Sequence, residues 1–180
     1  MLEKEDILNF WFDECRPEQW FKINSEFDAM LESRFATTLE DAFARCLESW
    51  ENTEAGCLAL ILVLDQFPRN IFRDSPRAFS GDERALELSQ KCYENGYLAN
   101  PNIHWRQFML MPMMHSEEIA VQDASLPLFQ EYTTQIGYDY AIRHRDIIAR
   151  FGRFPHRNTI LGRPSTDEEL EFLNQPGSSF

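Results

Sequence analysis

Basic residues are in short supply in this 180-residue chain: 17 Lys and Arg stand against 30 Asp and Glu, a net charge of −13. A phosphate backbone is bound when Lys and Arg displace its counterions, so this balance argues against nucleic acid as the main partner. Glycine is scarce at seven, and no low-complexity run interrupts the chain. The four cysteines, Cys15, Cys46, Cys57 and Cys92, form no CxxC pair. They read as reduced, mostly buried thiols of a cytosolic protein, and they lack zinc-ligand spacing. Long hydrophobic runs are missing too. The longest, Cys57 to Leu64, is far short of the ~20 residues that span a bilayer. Acidic residues sit in the N-terminal MLEKEDILNFWF where an export signal would carry positive charge, so a cytoplasmic location with no membrane partner is expected. GxSxG, P-loop, GxGxxG and HExxH are all absent, which leaves nucleophilic serine or cysteine catalysis and a dedicated zinc motif without support.

Aromatic residues are abundant: fifteen Phe, five Tyr and four Trp. They bring much area per side chain to a core. A single domain of this length buries roughly 70% of the surface its unfolded chain exposes.

No apolar alternation of period two occurs, whereas helical spacing recurs. Leu2 to Phe12 reads as a helix, broken at Arg16-Pro17, with Trp20 and Phe21 as a hydrophobic plug. Asn24 or Ser25 caps a second stripe through Phe27, Leu31, Phe35 and Leu39 to Cys46 and Trp50. Thr53 starts a third helix that is apolar all round from Cys57 to Leu64, the mark of a buried central helix; a buried strand is the rival. Pro68, Pro112 and Pro127 are expected to end, cut or kink their helices. Ser80-x-x-Glu83 fits a capping box, Ser116 caps a later helix, and Gly152 reads as a left-handed stop. Ser165-x-x-Glu168 and Thr166-x-x-Glu169 are overlapping capping boxes for a last short helix. Together these predict an all-α fold of eight or nine helices, in antiparallel pairs because the links are short.

Three junctions share a form, an apolar helix, a proline, then polar groups: LDQFPRN, MLMPMMHSE and RFGRFPHRN. Between Arg143 and Arg163 lie six arginines and one acidic residue, Asp146. A basic, histidine-bearing island in an acidic chain points to something anionic, either a ligand or the protein's own carboxylates. Asp65 continues a buried face and requires a partner, chosen from Arg69, Arg153 and Arg157. His144 shares an inward stripe with Ala141, Ile148 and Phe151. His115 precedes Ser116 and Glu117 at a helix start, where free N–H groups attract anions. Arg153, His156, Arg157 and Asn158 follow the Gly152 stop in a loop, and arginine's planar fork suits carboxylate or phosphate. A metal held by His115, Glu117 or Glu118, His144 and His156 would need folding to gather them, and none is expected.

These same segments, ILNFWF, ALILVLDQFPRNIFRDSPRAF, MPMMHSEE and HRDIIARFGRFPHRN with LGRPSTDEELEFL, resemble the bacterial family called domain of unknown function 924 over nearly the whole chain, from about Ile7 to Phe180. The resemblance implies a tetratricopeptide-like helical fold and carries no established activity. It implies a candidate set of Asp65, Gln66, Arg69, Asn70, His115, Ser116, Glu117, His144, Arg153, His156, Arg157 and Asn158. Pro127 departs from the continuous helix that the family leads one to expect.

Three readings follow. The first is a binding module for a small anion or acidic peptide, held by Arg153 and Arg157 and oriented by Asn70 and Asn158, with no cofactor. The second is an enzyme on a small phosphorylated or carboxylated substrate, with His144 or His156 as general base, Asp65 orienting it and Arg157 stabilising charge. The third is a buried polar network that only fixes helix order.

Overall fold

The computed structural model describes residues 2–179; Met1 and Phe180, the ends of the domain read from the sequence, lie outside them. Among the described residues the chain is all-α, with no strand. Its helices are α1 (Lys4–Asn9), α2 (Pro17–Trp20), α3 (Ser25–Phe43), α4 (Glu54–Ile61), α5 (Phe67–Ile71), α6 (Asp82–Glu94), α7 (Ile103–His115), α8 (Ile119–Tyr132), α9 (Gln135–Phe151) and α10 (Asp167–Leu173). Short links turn the chain back, so α6 packs on α7, α7 on α8 and α8 on α9.

The buried helix is α4, not a strand. Thr53 caps it by accepting from the Gly56 N–H at 3.1 Å, and every residue from Cys57 to Leu64 is buried. Each large apolar side chain so buried contributes about 1.5–3 kcal/mol relative to an exposed one. Against it lies an aromatic core. Phe35 sits with ring centroids 4.8 Å from Phe10 and 5.1 Å from Phe67, and Trp20 lies 5.1 Å from Phe108.

Pro68 does not end this helix. The backbone loosens into a π turn over Leu62–Gln66, with the Phe67 N–H reaching the Leu62 carbonyl, and helix resumes as α5. Proline is tolerated in the first turn of a helix segment, and α5 starts afresh just before it. The Leu64 carbonyl, to which Pro68 has no N–H to offer, lies against Gly81; a Cβ there would sit 2.1 Å from that oxygen. Glycine therefore lets the start of α6 come up to the π turn. A second π turn, Phe10–Glu14, follows α1.

Two further prolines also lie within helices, Pro112 in α7 and Pro127 in α8. Serine hydroxyls serve the turns before them: Ser89 donates to the Met109 carbonyl and Ser125 to the Gln122 carbonyl. The stripe of α3 stops at Phe43, where Arg45 takes a positive φ, so Trp50 is carried by a separate 3-10 turn and Cys46 is exposed. Phe21 is exposed as well, while Trp20 plugs the core and donates to the Trp11 carbonyl at 2.9 Å. Glu118 rather than Ser116 caps α8, and Gly81 rather than Ser80 caps α6. Thr166 with Glu169 forms the capping box of α10. Gly152 ends α9 in the left-handed region, at φ 70.

Candidate functional site

The π turn aims polar side chains inward. Asp65 is fully buried at its end, in a backbone form that recurs at functional sites. Its carboxylate meets the His115 Nδ1 at 2.7 Å, the Arg69 guanidinium at 3.1 Å and the Gln66 amide at 2.5 Å. Burial would raise Asp65, but Arg69 and His115 hold it well below the ordinary carboxylate range. An ionised carboxylate only accepts, so Nδ1 of His115 carries the proton and Nε2 holds the lone pair.

Arg69 continues the network. It donates to the Asp65 carbonyl at 2.6 Å and grips Asp82, at the start of α6, through two bonds of 2.8 and 3.0 Å. The Gly81 approach puts Asp82 within this reach.

Three imidazoles gather on the other side. His144, buried on α9, donates from Nδ1 to the Tyr140 carbonyl at 2.8 Å, and its ring lies 6.2 Å from that of His115. Phe154 bridges His144 and His156, each ring 5.6 Å from it. Burial, then the neighbouring His115, pushes His144 down to about 3; burial, then Arg157, pushes His156 down to about 4. His115 is also lowered, by burial first, with Asp65 opposing. All three are neutral bases at neutral pH.

Arg157 lies beneath them, 7% exposed and stacked between the rings of Phe79 at 4.7 Å and Phe154 at 4.6 Å. One Nη donates to the His115 carbonyl at 3.0 Å, the other stands 3.5 Å from Asp82, and Nε has no hydrogen-bond partner among the described residues. Burial, then Arg69, pulls its pKa down to about 10.

Asp65, Gln66, Arg69, His115, His144, His156 and Arg157 thus come together. The other candidates do not join them. Arg153 holds Glu169 through bonds of 2.7 and 2.8 Å, with a further bond to the Pro164 carbonyl. Asn158 is buried between Ser165 and Arg163. Glu117 grips Arg163 and accepts from the Phe154 N–H at 2.8 Å, fastening the loop that carries Arg157. Ser116 accepts from the Glu118 N–H, and Asn70 ties α5 to Asp28 of α3.

Sequence reasoning missed Asp82, Phe79 and Arg163. The only local signal was the acidic start of α6 for Asp82 and the phenylalanine beside a basic junction for Phe79. Among the described residues no group of three or more His, Cys, Asp or Glu is placed to hold a metal ion. A cavity of about 360 Å³ lies elsewhere, between α6, α7 and α8, lined by residues that include Tyr93, Met113 and Pro127.

An all-α array with a buried Asp–His–Arg cluster at its π turn is the class of protein that fold and site define. The chain belongs to the family described as bacterial protein of unknown function (DUF924), whose model matches residues 7–177. It is similar to a solved structure, a protein of unknown function, ATU0120, from Agrobacterium tumefaciens: 36% identity, TM-score 0.90, covering 95% of this chain and 96% of that one. No curated protein matches it. No helix of the described residues is long and apolar enough to cross a membrane.

Proposed function

We propose that this chain is a cytoplasmic, single-domain, tetratricopeptide-like protein that binds a small oxyanion, a carboxylate or phosphate group of a metabolite or acidic peptide, at Arg157. The observation that carries the reading is the incomplete pairing of that guanidinium. It is buried and charged at neutral pH, yet it makes one hydrogen bond at 3.0 Å and a long ion pair at 3.5 Å, with Nε unused among the described residues. A buried donor left unmade costs about 1–3 kcal/mol, and more for a charged group. A ligand oxygen would meet that need. The two phenylalanine rings hold the planar fork in place, so little conformational freedom is lost on binding. His115, His144 and His156 line the same cluster, backed by Asp65, Gln66 and Arg69.

A thermal-shift screen with phosphate, sulfate and small carboxylates tests it. A ligand at a hundred times its Kd stabilises the native state by about 2.7 kcal/mol. The wild type is expected to rise with at least one of these anions, and folded Arg157→Lys is expected not to. Silence from every compound would refute the reading.

A second reading is favoured by the Asp65–His115 contact of 2.7 Å. A buried carboxylate that fixes the Nδ1–H tautomer leaves Nε2 as a general base. His115, rather than His144 or His156, then takes that role, with Arg157 stabilising developing charge. Panels of hydrolase and isomerase substrates, run with His115→Asn alongside, decide it: turnover lost in the variant supports catalysis, and uniform silence from folded wild type sinks it.

A further inference from the structure

Among the described residues the formal charges of the cluster balance before any ligand arrives. Asp65 and Asp82 offset Arg69 and Arg157, and beside them Glu117 offsets Arg163. An anion bound at Arg157 therefore adds unbalanced negative charge to a buried place. Such a charge is costly unless a counter-charge comes with it. Among the described residues no further cation stands in the cluster, but three neutral imidazoles do.

We infer that oxyanion binding at Arg157 is coupled to protonation of His115, so that the site takes up an anion and a proton together, with Asp65 as the standing counter-ion. The inference rests on the anion-binding reading above.

His115 is the base whose surroundings suit an imidazolium. Facing it are Asp65 and Arg69 from the π turn and α5, Asp82 from α6, His144 from α9, and His156 and Arg157 from the loop after Gly152. Its Nδ1–H already sits on the Asp65 carboxylate at 2.7 Å. A proton added at Nε2 turns that contact into an ion pair, with no movement required. The other two imidazoles sit differently. His144 donates its Nδ1–H to a neutral carbonyl, and His156 has Arg157 as its principal charged neighbour, with Glu117 a weaker opposing one. In both, burial and like-charged neighbours oppose protonation.

Linkage then fixes the sign. If a proton is bound with the anion, the anion binds more tightly as pH falls, and the anion raises the proton affinity of His115 by the same factor. Where a whole proton accompanies binding, Kd changes about tenfold per pH unit.

Sulfate is the probe, because it does not titrate across the range used. Calorimetric titrations of the full chain would run from about pH 5.5 to about pH 8.5, the range in which an imidazole near its ordinary pKa changes charge. Buffers of different ionisation heat would report protons taken up. The wild type is expected to bind sulfate with uptake of close to one proton in the lower half of the range, and over that same span to weaken about tenfold per pH unit as pH rises. His115→Asn keeps a side-chain N–H donor for Asp65 but cannot take up the proton, so it is expected to bind sulfate no more tightly at any pH than the wild type does at the top of the range, with that slope lost. Should the variant not fold, nitrogen resonances of His115 in the wild type replace it: sulfate must raise the pH at which His115 titrates. Three outcomes overturn the coupling: binding without a slope, an equal slope in His115→Asn, or an unshifted His115 titration. No sulfate binding by folded protein at any pH overturns the anion site itself.

Discussion

Arg153 and Arg157 stand four residues apart in one basic stretch and look alike in the sequence, yet their surroundings differ in kind. Arg153 meets Glu169 fork to fork, and Glu169 doubles as the capping-box partner of Thr166. That pair is complete: each of its two charges has its opposite, and the pairing holds Glu169 down at about 2. Arg157 is packed by aromatic faces and shares Asp82 with Arg69, which takes the better geometry. The comparison teaches that net positive charge in a segment says little about anion binding. What matters is which guanidiniums the fold has already used.

The largest expected effect removes the charge that the Arg157 region depends on. Asp65→Asn leaves Arg69 and Arg157 sharing Asp82 alone and should cost about 3–5 kcal/mol in urea unfolding, the usual penalty for breaking a buried pair. Hydrogen exchange should show the loss around α7 and α9 before it reaches α10. Uniform loss of protection would mean that the two regions are one cooperative unit.

Acid separates the regions next. His144 and His156 sit at about 3 and about 4 in the folded chain, against about 6.5 when unfolded. Between those values the unfolded chain binds more protons. Stability is therefore full above about pH 6.5 and falls as pH drops, by up to about 1.4 kcal/mol per pH unit for each histidine. The Arg153–Glu169 pair persists until pH approaches about 2. Denaturant midpoints measured from neutral pH down to about pH 4.5 check this; a flat profile would contradict the burial of these imidazoles.

Smaller effects come from the arginines themselves. Arg157→Met removes an incompletely paired buried charge and leaves Asp82 on Arg69, so stability should change by no more than about 1 kcal/mol in either direction. Sulfate stabilisation should vanish with it. Arg153→Met strips Glu169 of its partner and should lower the melting temperature while leaving sulfate stabilisation intact. Reversal of these two anion responses would assign the site to the wrong arginine.

Local chemistry was legible in the sequence, and tertiary chemistry was not. The caps at Asn24, Thr53 and Thr166 were readable because each is satisfied by N–H groups within three residues. The buried helix at Cys57 was readable because it lacks a polar face. The prolines misled. Pro68 follows a π turn that restarts the helix, and Pro112 is carried, buried, inside a helix that continues past it. Asp65 with Arg69 is an i, i+4 pair and was within reach, whereas its bond to His115 spans fifty residues. Asp82 and Phe79 had only weak local signals, and the close approach of Gly81 to Leu64, which helps bring them in, is a tertiary contact. The inward stripe of α9 placed His144 correctly, but nothing in the stretch after Gly152 distinguished Arg157 from Arg153.

The stack around Arg157 also gives the cluster a spectroscopic voice of its own. A guanidinium lying over two aromatic faces sits in the shielding cones of both rings. Its Nε–H and neighbouring methylene protons should be shifted upfield by both rings, and the Nε–H should exchange slowly because the group is buried. Any ligand that enters, any proton that lands on a nearby imidazole, and any loosening of Phe79 or Phe154 would move that one set of lines.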